Sequence, residues 1–233
     1  MGSVGKKVEA YEDFSSIEYD AWQKSKYVSE ISQRFRDISN LQQWLASLTP
    51  DERSALQGYV DSTYEDINRW QYNIPWEEMS DYQKRDISDL YDAISKYELR
   101  EGIVVNRETD FRIFGADEYE HMSVSDIKDF LKSTNGVMQN DGFMSFSTRP
   151  NGVAVEGGGL VIHMKVPPSV GAGAYIGSTF GLPHESEFLM NTNTIMRLDP
   201  NSVYRDEYGK IHISGEALGR SRAQTISPTY GKK

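Results

Sequence analysis

The chain has 233 residues, 38% of them hydrophobic, with 25 Lys and Arg against 35 Asp and Glu, a formal charge of −10 and no cysteine. That is apolar mass enough for one medium domain or two small ones, and the missing cysteines exclude a disulfide scaffold, cysteine-held zinc, iron–sulfur clusters and a thiol nucleophile. The acidity argues against broad contact with nucleic acid or anionic lipid, both of which need a positive surface, but leaves room for a small anion held by one local arginine.

The first segment, Met1-Gly2-Ser3-Val4-Gly5-Lys6-Lys7, lacks the apolar stretch of a signal peptide, and no apolar run is long enough to span a bilayer, so a water-soluble chain is expected. Val28, Ile31, Phe35, Ile38, Leu41, Leu45 and Leu48 then recur at helical spacing. Thr49-Pro50-Asp51-Glu52 ends that stripe and opens a second helix with a hydroxyl N-cap, proline at the first turn and Glu three residues after the cap. Its less polar positions are Leu56, Tyr59, Val60, Thr63, Tyr64, Ile67 and Trp70. A third helix starts near Ser80, buries Ile87, Leu90, Tyr91 and Ile94, and stops at Arg100-Glu101-Gly102.

Beyond Gly102 the period changes, and short apolar runs bounded by turn residues predict strands at 103–106, 142–147, 160–166, 174–176, 185–190, 195–198 and 210–213. A short helix capped by Ser123 or Ser125 carries Val124, Ile127, Phe130 and Leu131. The class is α+β, a helical layer packed on a sheet-rich half. Residues 1–26 read as an N-terminal extension and 27–214 as one domain, helical over 27–100 and β-rich over 101–214. The tail, 215–233, has little apolar content and is expected to fray.

Three pieces carry chemistry. Arg107 closes the strand Ile103-Val104-Val105-Asn106, where a guanidinium can fork onto a phosphate; an ordinary pairing with Glu108 or Asp110 is the plainer account. In Gly142-Phe143-Met144-Ser145-Phe146-Ser147-Thr148, alternation sends Ser145 and Ser147 to one face, toward a polar ligand or simply toward water. Glu185-Ser186-Glu187 heads a strand, so both acids would share a face with Cβ atoms about 6.6 Å apart. Behind the segment Gly177-Ser178-Thr179-Phe180-Gly181-Leu182-Pro183, that pair suits oxocarbenium chemistry; two solvated acids at a strand end would look the same. His121, His163, His184 and His212 show no ligand spacing, so no metal is expected.

In this order the three pieces resemble the arginine, serine-strand and Glu-x-Glu signature of the mono-ADP-ribosyltransferases. They are similar in particular to the enzymatic components of clostridial binary toxins and to the vegetative insecticidal actin-modifying toxins. The likeness runs from about residue 30 to about residue 214 and includes Leu48-Thr49-Pro50-Asp51-Glu52-Arg53, the run from Tyr59 to Asn68, and Gly173-Ala174-Tyr175-Ile176. The resemblance implies the ADP-ribosyltransferase fold, a helical layer on a two-sheet mixed β core, and NAD as substrate without a metal. It implies that Arg107 holds the NAD phosphates and Ser145, with Ser147 nearby, braces the catalytic acid. Glu187 would stabilise the oxocarbenium ion, and Glu185 would orient or deprotonate the acceptor. Tyr59, Tyr64 and Asn68 would close over NAD, and Phe180 with Glu185 would meet the target.

Glu rather than Gln at 185 resembles members that modify arginine. The expected partner is thus a protein with an accessible arginine, actin among the candidates, with no nucleic acid and no membrane span. The expected setting is a secreted toxin or effector acting in a host cytosol, or a phage-borne enzyme acting in bacterial cytoplasm. Three departures from the family pattern stand out: Asn106 in place of an aromatic, Phe146 in place of Thr, and a 148–160 segment lacking the usual second NAD-contacting basic residue, for which Arg112 or Arg149 could substitute. An NAD glycohydrolase and a silent domain of this fold that docks a partner are the alternatives.

Overall fold

The computed structural model describes residues 11–12, 24–116, 121–149, 158–177, 179–181 and 186–220. The first apolar stripe forms two helices, α1 (Lys24–Ile38) and α2 (Leu41–Ser47), rather than one. Ser39 breaks them apart: its hydroxyl donates to the Phe35 carbonyl and accepts from the Leu41 amide at 3.2 Å and the Tyr97 hydroxyl at 2.8 Å. The next helix, α3 (Pro50–Gly58), starts in the capping box read from the sequence, Thr49 and Glu52 each satisfying the other's backbone N–H. It runs through a π-turn, Tyr59–Thr63, into α4 (Tyr64–Asn73). The Ser80–Gln83 box opens α5 (Asp81–Ser95), and Ser123, with Asp126, is the cap of α6 (Val124–Ser133).

The strands are β1 (Tyr11–Glu12), β2 (Glu98–Leu99), β3 (Gly102–Thr109), β4 (Val137–Asn140), β5 (Met144–Ser147), β6 (Leu160–Val166), β7 (Ser169–Val170), β8 (Gly173–Tyr175), β9 (Glu187–Met190), β10 (Thr194–Leu198), β11 (Tyr204–Arg205) and β12 (Ile211–Arg220). The main sheet runs β4-β10-β12-β6-β3-β5-β9-β8, and β2 pairs with β7 separately. Within it β3 meets β6 over seven residue pairs but meets β5 at one, Asn106 opposite Ser147. Among the described residues the sheet is thus two blocks joined at a single rung: β4, β10, β12, β6 and β3 on one side, β5, β9 and β8 on the other.

Several boundaries differ from expectation. The strand expected at 103–106 runs on to Thr109, so Arg107 stands within β3 and does not close it. Ser186 lies in the left-handed region at φ 49°, so the strand expected from Glu185 begins at Glu187. The expected tail is partly ladder, because β12 continues through Gly215 and pairs with β10 across a register shift at Ile195/Met196. A Cβ on Gly215 would lie 2.7 Å from the Arg197 carbonyl oxygen, so only glycine permits that approach. β1, within the expected N-terminal extension, pairs in parallel with Gly102 and Ile103 of β3.

The helical layer grips the second block through aromatic rings. Phe35 of α1 stacks on Tyr175 of β8, centroids 4.1 Å apart and planes 4° from parallel, and reaches Phe188 of β9 at 6.3 Å. Phe146 stands opposite Phe188 on the same face, and all four rings are buried. Burial of each such ring contributes on the order of 2–3 kcal/mol. Trp44 of α2 donates to the Ala93 carbonyl at 2.6 Å and meets Tyr97 edge to face, tying α2 to α5.

Candidate active site

The face of β5 and β9 opposite those rings is polar. Glu187 opens β9 with 5% of its surface exposed, and its carbonyl accepts from the amides of Ile176 at 3.0 Å and Gly177 at 3.2 Å. Its register partner is Ser147, whereas Ser145 is opposite Leu189, two residues deeper on the same face. Ser147 is fully buried, and its Oγ accepts from the Arg149 amide at 3.0 Å. Thr148 fixes the strand end by donating through its amide and its hydroxyl to the Ser186 carbonyl. Ser186 is itself buried, with no hydrogen-bond partner for its hydroxyl among the described residues. A strained, uncompensated residue immediately before a buried acid is the kind of local cost that functional loops carry.

Arg107 reaches this cluster from β3, donating from Nη1 to the Ser145 carbonyl at 2.6 Å. Tyr59 reaches it from the π-turn. Its phenol accepts from Asn68 Nδ2 at 3.3 Å and hydrogen-bonds the Ser145 side chain. Burial first, and then the Glu187 charge, push that phenol far above its ordinary 10, with the Asn68 and Ser145 hydrogen bonds and the Arg107 charge only partly offsetting them. Tyr59 therefore stays neutral and serves as a hydrogen-bonding group. The same interactions place Arg107, Ser145, Tyr59, Asn68 and Glu187 around one space, with Tyr64 packed edge to face on Tyr59 at 6.4 Å and half exposed. A cationic group, a neutral phenol and a buried carboxylate in that arrangement can bind a phosphate-bearing ligand at one end and stabilise positive charge at the other.

The segment before Glu187 folds onto it. The amides of Thr179, Phe180 and Gly181 all converge on the Ile176 carbonyl oxygen at 3.0–3.1 Å. This tight turn points Phe180 inward, where it is 8% exposed and 6.2 Å from Trp44, so the expected target-contacting aromatic is a core residue. Glu185, with Ser178 and residues 182–184, lies outside the described residues. The alternation that placed both acids on one face does not extend past Ser186, because a left-handed residue breaks the pleat.

Of the two arginines considered for a second phosphate contact, Arg112 is held by Asp110, with Nε at 2.8 Å and Nη2 at 2.5 Å from Oδ2. Burial would raise the Asp110 pKa, but the Arg112 hydrogen bonds outweigh it and hold the carboxyl below its usual range. Arg149 instead stands at the end of β5, its backbone fixed by Ser147 and by Asn106 Nδ2, which donates to its carbonyl at 2.9 Å. Asn106 in turn meets His163, a residue without metal-ligand spacing in the sequence. A polar side chain in the middle of the apolar run Leu160–Val166 was the available signal.

Residues 33–218 match the sequence pattern of the family described as ADP-ribosyltransferase exoenzyme. The chain is 27% identical over 152 residues to the NAD(+)–arginine ADP-ribosyltransferase EFV of Enterococcus faecalis, an alignment covering 64% of this chain and 29% of that protein. It superposes on Plx2a, an ADP-ribosyltransferase toxin from Paenibacillus larvae, with TM-score 0.68 at 19% identity, covering 82% of this chain and 96% of the other. The ADP-ribosylating toxin BECa of C. perfringens gives 0.68 at 21% identity, with 89% and 50% covered. The C2-I component of the Clostridium botulinum C2-toxin gives 0.64 at 19% identity, with 91% and 50% covered. The chain thus spans less than a third of the curated relative and half of each of the last two.

Proposed function

Because this chain belongs to the ADP-ribosyltransferase exoenzyme family, matched over residues 33–218, we propose that its polar cluster transfers ADP-ribose from NAD to an arginine side chain of a target protein. The C1′–N glycosidic bond of NAD breaks with its electron pair leaving on neutral nicotinamide. The positive charge left on the ribose faces the Glu187 carboxylate. A guanidino nitrogen of the target then bonds to C1′ and gives up one proton, for which Glu185 is the assigned acceptor. Arg107 holds the phosphates, Ser145 links Arg107 to Tyr59, and Tyr59 with Asn68 and Tyr64 closes the helical side.

The observation that carries this reading is the meeting of Arg107, Ser145, Tyr59 and the buried Glu187 around one space, each brought by a different element. Arginine as acceptor is supported by the curated relative's name and by the acid at 185. Actin is the first target to try, on the likeness to actin-modifying toxins, and a secreted effector acting inside a target cell is the setting that likeness favours.

Incubation with labelled NAD and agmatine, an arginine mimic, tests the assignment. The expected product is an ADP-ribosyl–agmatine adduct. Free ADP-ribose without adduct would make the enzyme a glycohydrolase, and full transfer by the Glu187→Gln variant would overturn the assignment of the acid. Glu185→Gln is expected to keep NAD hydrolysis and lose transfer.

A further inference from the structure

A line of hydrogen bonds crosses the sheet from the rung that joins β3 to β5. Asn106 Nδ2 donates to the Arg149 carbonyl, so its Oδ1 is an acceptor toward His163 Nδ1 at 2.6 Å. His163 Nε2 meets His212 Nδ1 at 2.9 Å, and His212 Nε2 meets Asp206 Oδ2 at 3.0 Å. The two imidazoles are 9° from parallel with centroids 5.2 Å apart. That separation is one N–H···N bond plus two ring radii, so they lie edge to edge. Tyr204 lies flat against His212 at 4.8 Å.

Counting protons fixes the state of this line. The Asn106 oxygen and the Asp206 carboxylate are both acceptors, so each takes an N–H from the ring facing it. The inner N···N contact needs one more hydrogen. Three N–H groups on two imidazoles amount to one net positive charge, shared by the pair and facing Asp206. The hydrogen bond from His212 holds the Asp206 carboxyl below its usual range. Among the described residues, the other charged groups on the same sheet face include Glu108 with Lys210 bonded to it at 2.8 Å, and Glu216 between Lys165 of β6 and Arg197 of β10.

The place of the line gives it a role. Among the described residues, Asn106 and Ser147 form the one rung joining the two blocks of the sheet, and Arg149 N is bonded to Ser147 Oγ. Arg107, next to Asn106, belongs to one block; Glu187, opposite Ser147, belongs to the other. Resting on the NAD reading above, we propose that Asn106, His163, His212 and Asp206 are positioning residues: a singly protonated relay that pins this rung and so sets the distance between the phosphate-holding Arg107 and the charge-stabilising Glu187. NAD bridging the two blocks would feel any slack between them, and misplacement of reacting groups by about 1 Å can cost on the order of 10²-fold in rate. The relay is complete only with all four side chains in place, so removal of any one of them should be felt at the rung.

Nitrogen-15 NMR of the imidazole rings and the separate kcat and KM of nicotinamide release test this together. The wild-type protein is expected to show three ring N–H groups on the pair. Asn106→Ala should lower kcat about tenfold with KM for NAD changed by less than about twofold. His163→Phe should lower kcat to a similar extent, and His163→Asn, which keeps a donor where Nδ1 stood, should recover part of that loss. The proposal is overturned by an Asn106→Ala enzyme within twofold of wild type in kcat, or by a His163→Asn enzyme no better than His163→Phe. A wild-type protein with the three N–H groups but no NAD turnover would instead overturn the functional reading on which the relay rests, and the relay's role with it.

Discussion

Gly181 rests against the Glu187 carboxylate: a methyl group placed on it would sit 3.3 Å from Glu187 Oε2 and 3.2 Å from the Cα of Gly177. That is contact tight enough to displace a side chain and too loose to break a fold. Gly181→Ala is therefore expected to lower kcat for nicotinamide release roughly tenfold, about 1.4 kcal/mol, with Tm changed by no more than about 2 °C. Gly177→Ala is the contrast. Its methyl would be 2.5 Å from the Glu187 amide nitrogen, which is backbone and cannot swing aside, so that variant should lose stability as well. Kinetics and a thermal melt on the same two samples check the pair.

Glu187→Gln removes the charge that faces the developing cation. A loss of about 10²- to 10³-fold in both nicotinamide release and transfer is expected, measured at saturating NAD. The variant should stay folded, since the amide fills the same space.

Ser145 and Tyr59 share one hydrogen bond, so their contributions should not add. Ser145→Ala and Tyr59→Phe are each expected to cost about five- to tenfold in kcat/KM for NAD, and the double variant little more than the worse single. Ser147→Ala should behave differently, because its Oγ holds the Arg149 backbone. Additive losses at Ser145 and Tyr59 would separate the two groups and leave Tyr59 with a role of its own.

Lys96 gives both oxygens of the buried Glu52 a hydrogen bond, at 2.6 and 2.7 Å. Burial would raise the Glu52 pKa, but the Lys96 and Thr49 hydrogen bonds outweigh it, leaving it below its ordinary 4.5. A depressed carboxylate stabilises the fold above its unfolded pKa and loses that contribution as pH falls through the folded value. Lys96→Met should thus cost about 1–2 kcal/mol at pH 7, or roughly 3–6 °C in Tm. The gap to wild type should close as the pH is taken below the carboxylate range. Melts at several pH values read this directly.

Phe35 packs behind the site, on Tyr175 and Phe188. Phe35→Ala is expected to destabilise by about 3–5 kcal/mol, while the fraction still folded at low temperature keeps a near-normal KM for NAD. Equilibrium unfolding in urea, paired with KM at 10 °C, is the check.

What the sequence disclosed and what it hid divide along the range of the interactions. The caps at Thr49, Ser80 and Ser123 were legible because donor and acceptor are three residues apart. Arg107, the serine strand and Glu187 were legible as a pattern, yet which serine opposes Glu187 depends on a ladder between strands some forty residues apart, and it is Ser147. The early end of the β9 strand was hidden because Ser186 adopts a positive φ without the glycine that usually announces one. Phe180 read as exposed because nothing in its own segment reveals that Ile176 gathers three amides and turns the ring toward Trp44. The histidine line needed three strands and a hairpin to be brought together, and no spacing rule covers that.

The π-turn at Tyr59–Thr63 makes the helical lobe sensitive to chain length in a way its contacts do not advertise. Tyr59 and Asn68 are nine positions apart, a separation that puts two residues on opposite sides of a regular α-helix, yet here they touch. The widened turn holds the surplus residue that rotates α4 into phase. Deleting one residue between Val60 and Thr63 would leave a more regular helix with α4 turned by about 100°. Such a chain would keep its helical content and every residue named at the site, and still lose the contact between Asn68 and Tyr59.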